Sequence, residues 1–165
     1  MTHVSRLVLT AFMCWSVTGC AEPAADPVDG REPSGAEPVA LSISHESRWR
    51  ELRVEGTTDL PDGAVLSYRV THALANELPP SEWPAQNLIA DGTAVVQGGK
   101  YGARLNTTYW PKGSVQVEVQ FPIAPQPLAI RARYGDFGEE LTGNNVTVLG
   151  ASKVVTAEHA FDWTR

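Results

Sequence analysis

The stretch VQVEVQF, residues 115–121, alternates apolar and polar side chains without a break. Its apolar members are Val115, Val117, Val119 and Phe121. Successive side chains of a β-strand point to opposite faces, so this pattern predicts a strand with one buried face. Strands buried on one face only are typical of antiparallel sheets.

Similar patterns recur through the chain from residue 39 onward. They predict further strands, in chain order, at 39–44, 51–56, 64–70, 86–90, 93–97, 100–106, 128–134 and 153–163. The turn signals between strands are PDG at 61–63, DG at 91–92, GG at 98–99, PKG at 111–113 and GNN at 143–145. About seven to nine short antiparallel strands in one domain-sized segment predict an all-β fold, a single β-sandwich.

Two parts of this segment resemble a known kind of domain. The stretch VEGTTDLPDGAVLSYRV, residues 54–70, resembles the opening of immunoglobulin-like or fibronectin-like domains in uncharacterised bacterial envelope proteins. The stretches KGSVQVEVQF and QPLAIRARYG are similar to the last hairpin of that family. The resemblance covers about residues 40–165 and implies an immunoglobulin-like β-sandwich there. It implies no activity, because the family has no agreed catalytic residues.

The start of the chain has the form of an export signal. The first six residues contain one cation, Arg6, and the run LVLTAFMCWSV at 7–17 is almost wholly apolar. That run of about 11 residues is shorter than the roughly 20 that a membrane-spanning helix needs. It fits the apolar core of a secretory signal instead.

The four residues VTGC, 17–20, resemble the lipobox of bacterial lipoproteins, in which an aliphatic residue and two small residues precede Cys. The resemblance implies a signal peptide at 1–19, cleavage between Gly19 and Cys20, and diacylglycerol on the Cys20 sulfur. A further acyl group such as palmitate on the new amine is common in that family. The alternative is an ordinary secretory signal in which this Cys occurs by chance.

These features predict an exported protein that is lipid-anchored to the cell envelope. In a Gram-negative host, Ala21 after the lipidated Cys resembles the outer-membrane pattern. Residues 20–38 add a tether rich in Pro, Ala and acidic side chains, with too little apolar surface to form a core. We therefore expect three parts: the signal at 1–19, a disordered tether at 20–38 and a β-sandwich at 39–165.

Composition excludes several classes of function. The net charge is −6 and no basic patch is evident, which argues against nucleic acid as a partner. Of the two cysteines, Cys14 lies in the signal and Cys20 is the lipidation site, so the folded part has no thiol for a disulfide or a metal. No cofactor is predicted.

Catalytic motifs are missing as well. The sequence has no GxSxG elbow and no HExxH or His-x-His spacing, so we predict no enzyme activity and no catalytic residue. The alternative is an enzyme or metal-binding protein with a site built from three separated histidines, His45, His72 and His159. A third hypothesis is a protease inhibitor that presents the Pro-rich loop at 79–84.

Two loops contain aromatic side chains that suit a binding surface. The segment at 72–87 contains Trp83, and the segment at 106–113 contains Tyr109 and Trp110. Aromatic residues on loops are frequent binding anchors, and they are also frequent lids of a core. The favoured hypothesis is a non-catalytic module that uses these three residues to bind or support another envelope protein or a glycan.

Overall fold

The alternating stretch at 115–121 lies in the middle strand of a five-stranded sheet. The structure, a computed structural model, describes residues 37–164. Its strands are β1 (Glu37–Pro38), β2 (Ser44–Arg48), β3 (Glu51–Thr57), β4 (Val65–His72), β5 (Ile89–Val95), β6 (Lys100–Asn106), β7 (Gly113–Phe121), β8 (Leu141–Thr142), β9 (Val146–Leu149) and β10 (Ser152–Trp163). The helices are α1 (Leu74–Glu77), a 3-10 turn (Pro80–Glu82) and α2 (Leu128–Tyr134).

The main strands form two antiparallel sheets. One has the order β5-β4-β7-β10-β9 and the other the order β2-β3-β6, while β1 and β8 form a short parallel pair. Two antiparallel sheets of five and three strands confirm the predicted all-β sandwich.

The core lies between the inner faces of the two sheets. All four apolar residues of the alternating stretch in β7 are fully buried, while Gln116 between them is exposed. From the opposite sheet, Leu52 and Val54 of β3 are buried as well. Apolar burial of this kind is the main favourable contribution to folding, at about 25 cal/mol per Å².

The strand predicted at 128–134 is wrong, because these residues form α2. Ala, Leu and Arg are good helix formers, and Pro127 before the helix blocks a continuing strand ladder. Ile130 and Tyr134 are buried, whereas Leu128 is exposed. A spacing of four residues places two side chains on one helix face, so the apolar positions fit a helix as well as a strand.

Two strand boundaries also differ from the prediction. The strands expected at 86–90 and 93–97 are one strand, β5, because the DG pair at 91–92 is not a turn. Arg69 of β4 pairs with Asp91 at 2.6 Å, and the Tyr68 ring covers Gly92. The strand expected at 39–44 is displaced towards the C-terminus and begins at Ser44.

The sandwich has two distinct ends. The β2–β3 turn at 49–50, the β4–β5 loop at 73–88 and the β6–β7 loop at 107–112 lie at one of them, which we call the loop end. The first described residues lie at the opposite end, where the backbone N–H of Ser42 donates to the Thr57 carbonyl at 3.0 Å. The length of β3 separates these ends by about 20 Å.

Several predictions concern parts of the chain outside the described residues. They are the signal peptide at 1–19, cleavage at Gly19, lipidation at Cys20 and the tether up to residue 36. Across residues 37–164, no helix is both long enough and apolar enough to cross a membrane.

Candidate binding groove at the loop end

Three buried aromatic rings form a floor beneath the loop end. Trp110 is 5% exposed, and its ring meets the rings of Trp163 and His72 edge-on, at centroid distances of 5.8 and 5.6 Å. Trp163 and His72 are also buried. Edge-to-face contacts of this kind add about 0.5–1.5 kcal/mol each to the burial of the rings. We call these three residues the aromatic floor.

Hydrogen bonds tie the two longer loops to this floor. The Trp110 Nε1–H donates to the Asn87 carbonyl at 3.2 Å and to Asn87 Oδ1 at 3.1 Å. The Asn87 amide in turn donates to the Asn106 carbonyl. One residue of the β4–β5 loop therefore bridges Trp110 and the end of β6, which fixes the two loops relative to each other.

The histidine of the floor has a structural role. His72 Nδ1 accepts a hydrogen bond from the Leu74 backbone N–H at 3.2 Å, so its Nε2 carries the proton and donates to the Pro111 carbonyl at 3.1 Å. Both ring nitrogens are thus used by the backbone. This arrangement leaves His72 without a free nitrogen for a metal.

Trp83 anchors the β4–β5 loop. Its ring is half-buried against the core, and its Nε1–H donates to the Leu78 carbonyl at 2.9 Å. The exposed residues between them include the 3-10 turn at Pro80–Glu82. The hydrogen bond from Trp83 to the Leu78 carbonyl therefore closes the Pro-rich segment at 79–84 into a compact turn.

A groove of about 660 Å³ opens between the two loops. It is lined by Pro84, Ala85, Gln86, Asn87, Asn106, Thr108 and Tyr109. Tyr109 is 76% exposed although its neighbour Trp110 is buried. None of the seven lining side chains is charged, and three of them are amides. Concave sites of this size with a few polar groups are typical of ligand binding.

The structure separates the three aromatic residues that the sequence grouped as contact candidates. Tyr109 lines the groove and is available to a partner. Trp110 lies beneath it and is too buried to contact a partner, so its predicted contact role is corrected to support of the groove. Trp83 holds the loop through its bond to the backbone.

Sequence reasoning missed the amide and hydroxyl groups of the groove. Gln86 lies in the β4–β5 loop, whereas Asn106 ends β6 and Thr108 lies in the β6–β7 loop, further along the chain. In the sequence, Asn106 and Thr108 are the ends of the stretch NTT, which does not by itself indicate a binding site. No spacing in the sequence indicates that these residues meet Gln86, because the contact depends on how β4–β5 and β6–β7 pack.

Two of the three candidate metal-binding histidines lie together at another place. His45 of β2 and His159 of β10 face each other across the two sheets, with Nδ1 and Nε2 2.8 Å apart. The Phe161 ring stacks on His45 at a centroid distance of 3.6 Å. His72 does not join them, because β7 lies between β4 and β10. In the described part of the chain, no three His, Cys, Asp or Glu residues are grouped to hold a metal.

His45 of this pair is sensitive to protonation. Burial lowers the pKa of His45, and the charge of His159 lowers it further. As the pH falls through the ordinary pKa of 6.5, the folded protein therefore binds fewer protons at His45 than the unfolded chain does. In the hydrogen bond between the two rings, one ring nitrogen donates and the other accepts.

Acidification is thus expected to lower the free energy of unfolding. The loss begins near the unfolded pKa and is complete below the folded one, because stability rises with pH wherever the unfolded state binds more protons. Denaturant unfolding at about pH 7.5 and about pH 5.5 measures it, within the range where histidine titrates. His45→Gln should reduce the difference between the two values. An unchanged difference in this variant would contradict the assignment.

A second concavity of about 660 Å³ lies at the opposite end, next to the first described residues. Its polar groups are mostly used internally. Asp59 accepts a hydrogen bond from the Ala40 backbone at 2.8 Å, and the hydroxyls of Ser42 and Thr57 bond to each other. These bonds hold the segment at 38–42 against the sandwich. The groove at the loop end is therefore the better candidate for a ligand.

Comparison with known proteins does not assign this chain to a family. No protein-family model matches the chain, and no curated protein matches it significantly.

Proposed function

We propose that this protein is an exported, lipid-anchored envelope protein whose non-catalytic β-sandwich binds another envelope component through the groove. The observation that carries the proposal is Tyr109, an exposed aromatic ring in an uncharged groove above a fixed floor. Large, rigid aromatic side chains are favoured as binding anchors, because they bury much area and lose little conformational entropy.

Two further features support the anchored arrangement. The lipobox at 17–20 supplies an acylation site, and two or three acyl chains together give a stable membrane anchor. The described chain begins at the end of the sandwich opposite the groove. A tether attached at that end would be separated from the groove by the length of β3, about 20 Å.

Contact through the groove is tested by site-specific photo-cross-linking in living cells. A photoreactive phenylalanine analogue at Tyr109 should give a discrete adduct with an envelope component. The matched control carries the same analogue at Val148, which is also exposed but lies on the β9–β10 hairpin at the other end. Adducts of equal pattern and yield at both positions, or none at 109, would reject the groove as the contact surface.

The anchor is tested separately with Cys20→Ala. We expect the native chain to start at an acylated Cys20 and to fractionate with membranes, and the variant to become soluble. Intact mass and N-terminal mapping of both proteins decide the matter. An unmodified Cys20 in a soluble native protein would overturn the anchor while leaving the groove to be judged by cross-linking.

A further inference from the structure

The charge of the groove restricts what it can hold. Its seven lining side chains carry neither a carboxylate nor a cation. An ionic ligand would lose hydration on entering and gain no opposite charge in return, which is costly. The groove therefore suits an uncharged ligand.

The polar atoms of the groove are free to bind such a ligand. Among the described residues, the Gln86 amide, the Asn106 Nδ2 and the Tyr109 hydroxyl make no hydrogen bond to the protein. The Asn106 Oδ1, by contrast, is occupied by the backbone and hydroxyl of Thr108. An amide offers a donor and an acceptor side by side, so it matches a ligand that carries neighbouring hydroxyl groups.

Tyr109 provides the apolar part of the same recognition. Its ring has an electron-rich face and is open to solvent over most of its surface. The C–H groups on one side of a pyranose ring are weakly positive and form a flat apolar patch that fits such a face. A neutral sugar thus combines the two features that the groove offers, a flat apolar face and a rim of hydroxyls.

A protein partner fits this groove less well. The central residues of protein interfaces are mainly apolar and well packed, over more than about 1,000 Å² in total. Here one exposed aromatic ring is surrounded by amides, and the next exposed aromatic at this end, Trp49, lies outside the groove. Little apolar surface is therefore available to drive a protein–protein contact.

The groove is also preorganised before any ligand binds. Asn87 is held by Trp110 below and by the Asn106 carbonyl beside it, so the two loops need little ordering on binding. Preorganisation of this kind favours weakly interacting ligands such as sugars, because less of the interaction energy is lost to ordering. We infer that the groove binds a neutral oligosaccharide, an inference that rests on the proposed function of the loop end.

The test is direct titration of the exported, unacylated chain carrying Cys20→Ala. The probes are cellohexaose, maltohexaose and tetra-N-acetylchitotetraose, followed by NMR or calorimetry. We expect saturable binding of at least one of them, with chemical-shift changes centred on Tyr109 and Gln86. Tyr109→Ala should weaken that binding about tenfold or more, as expected for a central anchor, and Gln86→Ala should weaken it less.

Trp49→Ala is the matched control, because Trp49 is as exposed as Tyr109 but lies outside the groove. Its affinity should equal that of the parent. Failure of all three probes, or binding that Tyr109→Ala leaves unchanged, would overturn the inference. If a proline-rich decapeptide bound instead and cross-linking at 109 captured an envelope protein, the oligosaccharide inference would fail and the proposed function would stand. If no probe binds and no cross-linked adduct forms at position 109, both the oligosaccharide inference and the proposed function would be rejected.

Discussion

Replacement of Trp110 by alanine is expected to lower the free energy of unfolding by about 3–5 kcal/mol, as for other buried large aromatic residues. The indole is almost completely buried, so its removal leaves a cavity beneath the groove. The neighbours Trp163 and His72 would each lose an edge-on ring contact. With Trp110, these residues form the aromatic floor. Trp163 and His72 lie on two different strands, β10 and β4, so both strands would have to move to fill the cavity.

The same substitution should also loosen the groove. Without the Trp110 Nε1–H, the carbonyl and Oδ1 of Asn87 lose their donor. Asn87 would then no longer hold the β4–β5 loop against the β6–β7 loop. We expect faster amide hydrogen exchange at 84–88, because exchange reports local opening of this kind.

Tyr109→Ala provides the comparison, since Tyr109 directly precedes Trp110 in the chain. The Tyr109 side chain is exposed, so the free energy of unfolding should change by no more than about 0.5 kcal/mol. Denaturant unfolding of both variants measures the difference. Equal stabilities for the two would show that Trp110 does not support the core.

The sequence predicts the strands best where burial on one face is strict. In β7 every second side chain is fully buried, so a period of two follows directly from the packing. In α2 the same apparent period arises because Ile130 and Tyr134 satisfy a helical spacing, while Leu128 adds an apolar position that is not buried. A stretch of seven residues is too short for the pattern alone to distinguish the two.

The site could be predicted in part. Loop aromatics indicated Tyr109, but nothing local distinguishes it from Trp110, because their different exposure depends on the rings of His72 and Trp163 from two other strands. The pairing of His45 with His159 likewise depends on how the two sheets stack. Local alternation gives the face of each strand, whereas contacts between sheets follow from the topology.

Gly56→Ala is expected to be strongly destabilising, by about 3 kcal/mol or more, at the upper end for overpacking of a core. A methyl group on Gly56 would lie 2.0 Å from the Ser42 carbonyl oxygen and 2.4 Å from the Tyr101 hydroxyl. The first of these is a backbone atom, so a side-chain rotation cannot relieve the contact. The segment at 41–43 would have to move away from β3.

The Tyr101 hydroxyl provides a spectroscopic readout of this displacement. It donates to the Ser42 carbonyl at 2.6 Å, and burial raises the pKa of Tyr101 to about 12. If the methyl group expels the ring from this position, Tyr101 should ionise closer to its ordinary pKa of 10.0. Ultraviolet titration of the phenolate, compared with the parent protein, measures that change.

Gly102→Ala is the matched control, since Gly102 lies in β6 opposite Glu55, next to the pair of Gly56 and Tyr101. A methyl group there would meet its nearest atoms at 3.6 and 3.7 Å, which is ordinary van der Waals contact. Its alanine variant should be neutral or more stable by about 0.4–1 kcal/mol, because alanine restricts the unfolded chain. Equal losses in both variants would mean that the three-stranded sheet tolerates no side chain at either glycine. A loss confined to Gly56 would show that the close approach of Ser42 and Tyr101 requires glycine at that position.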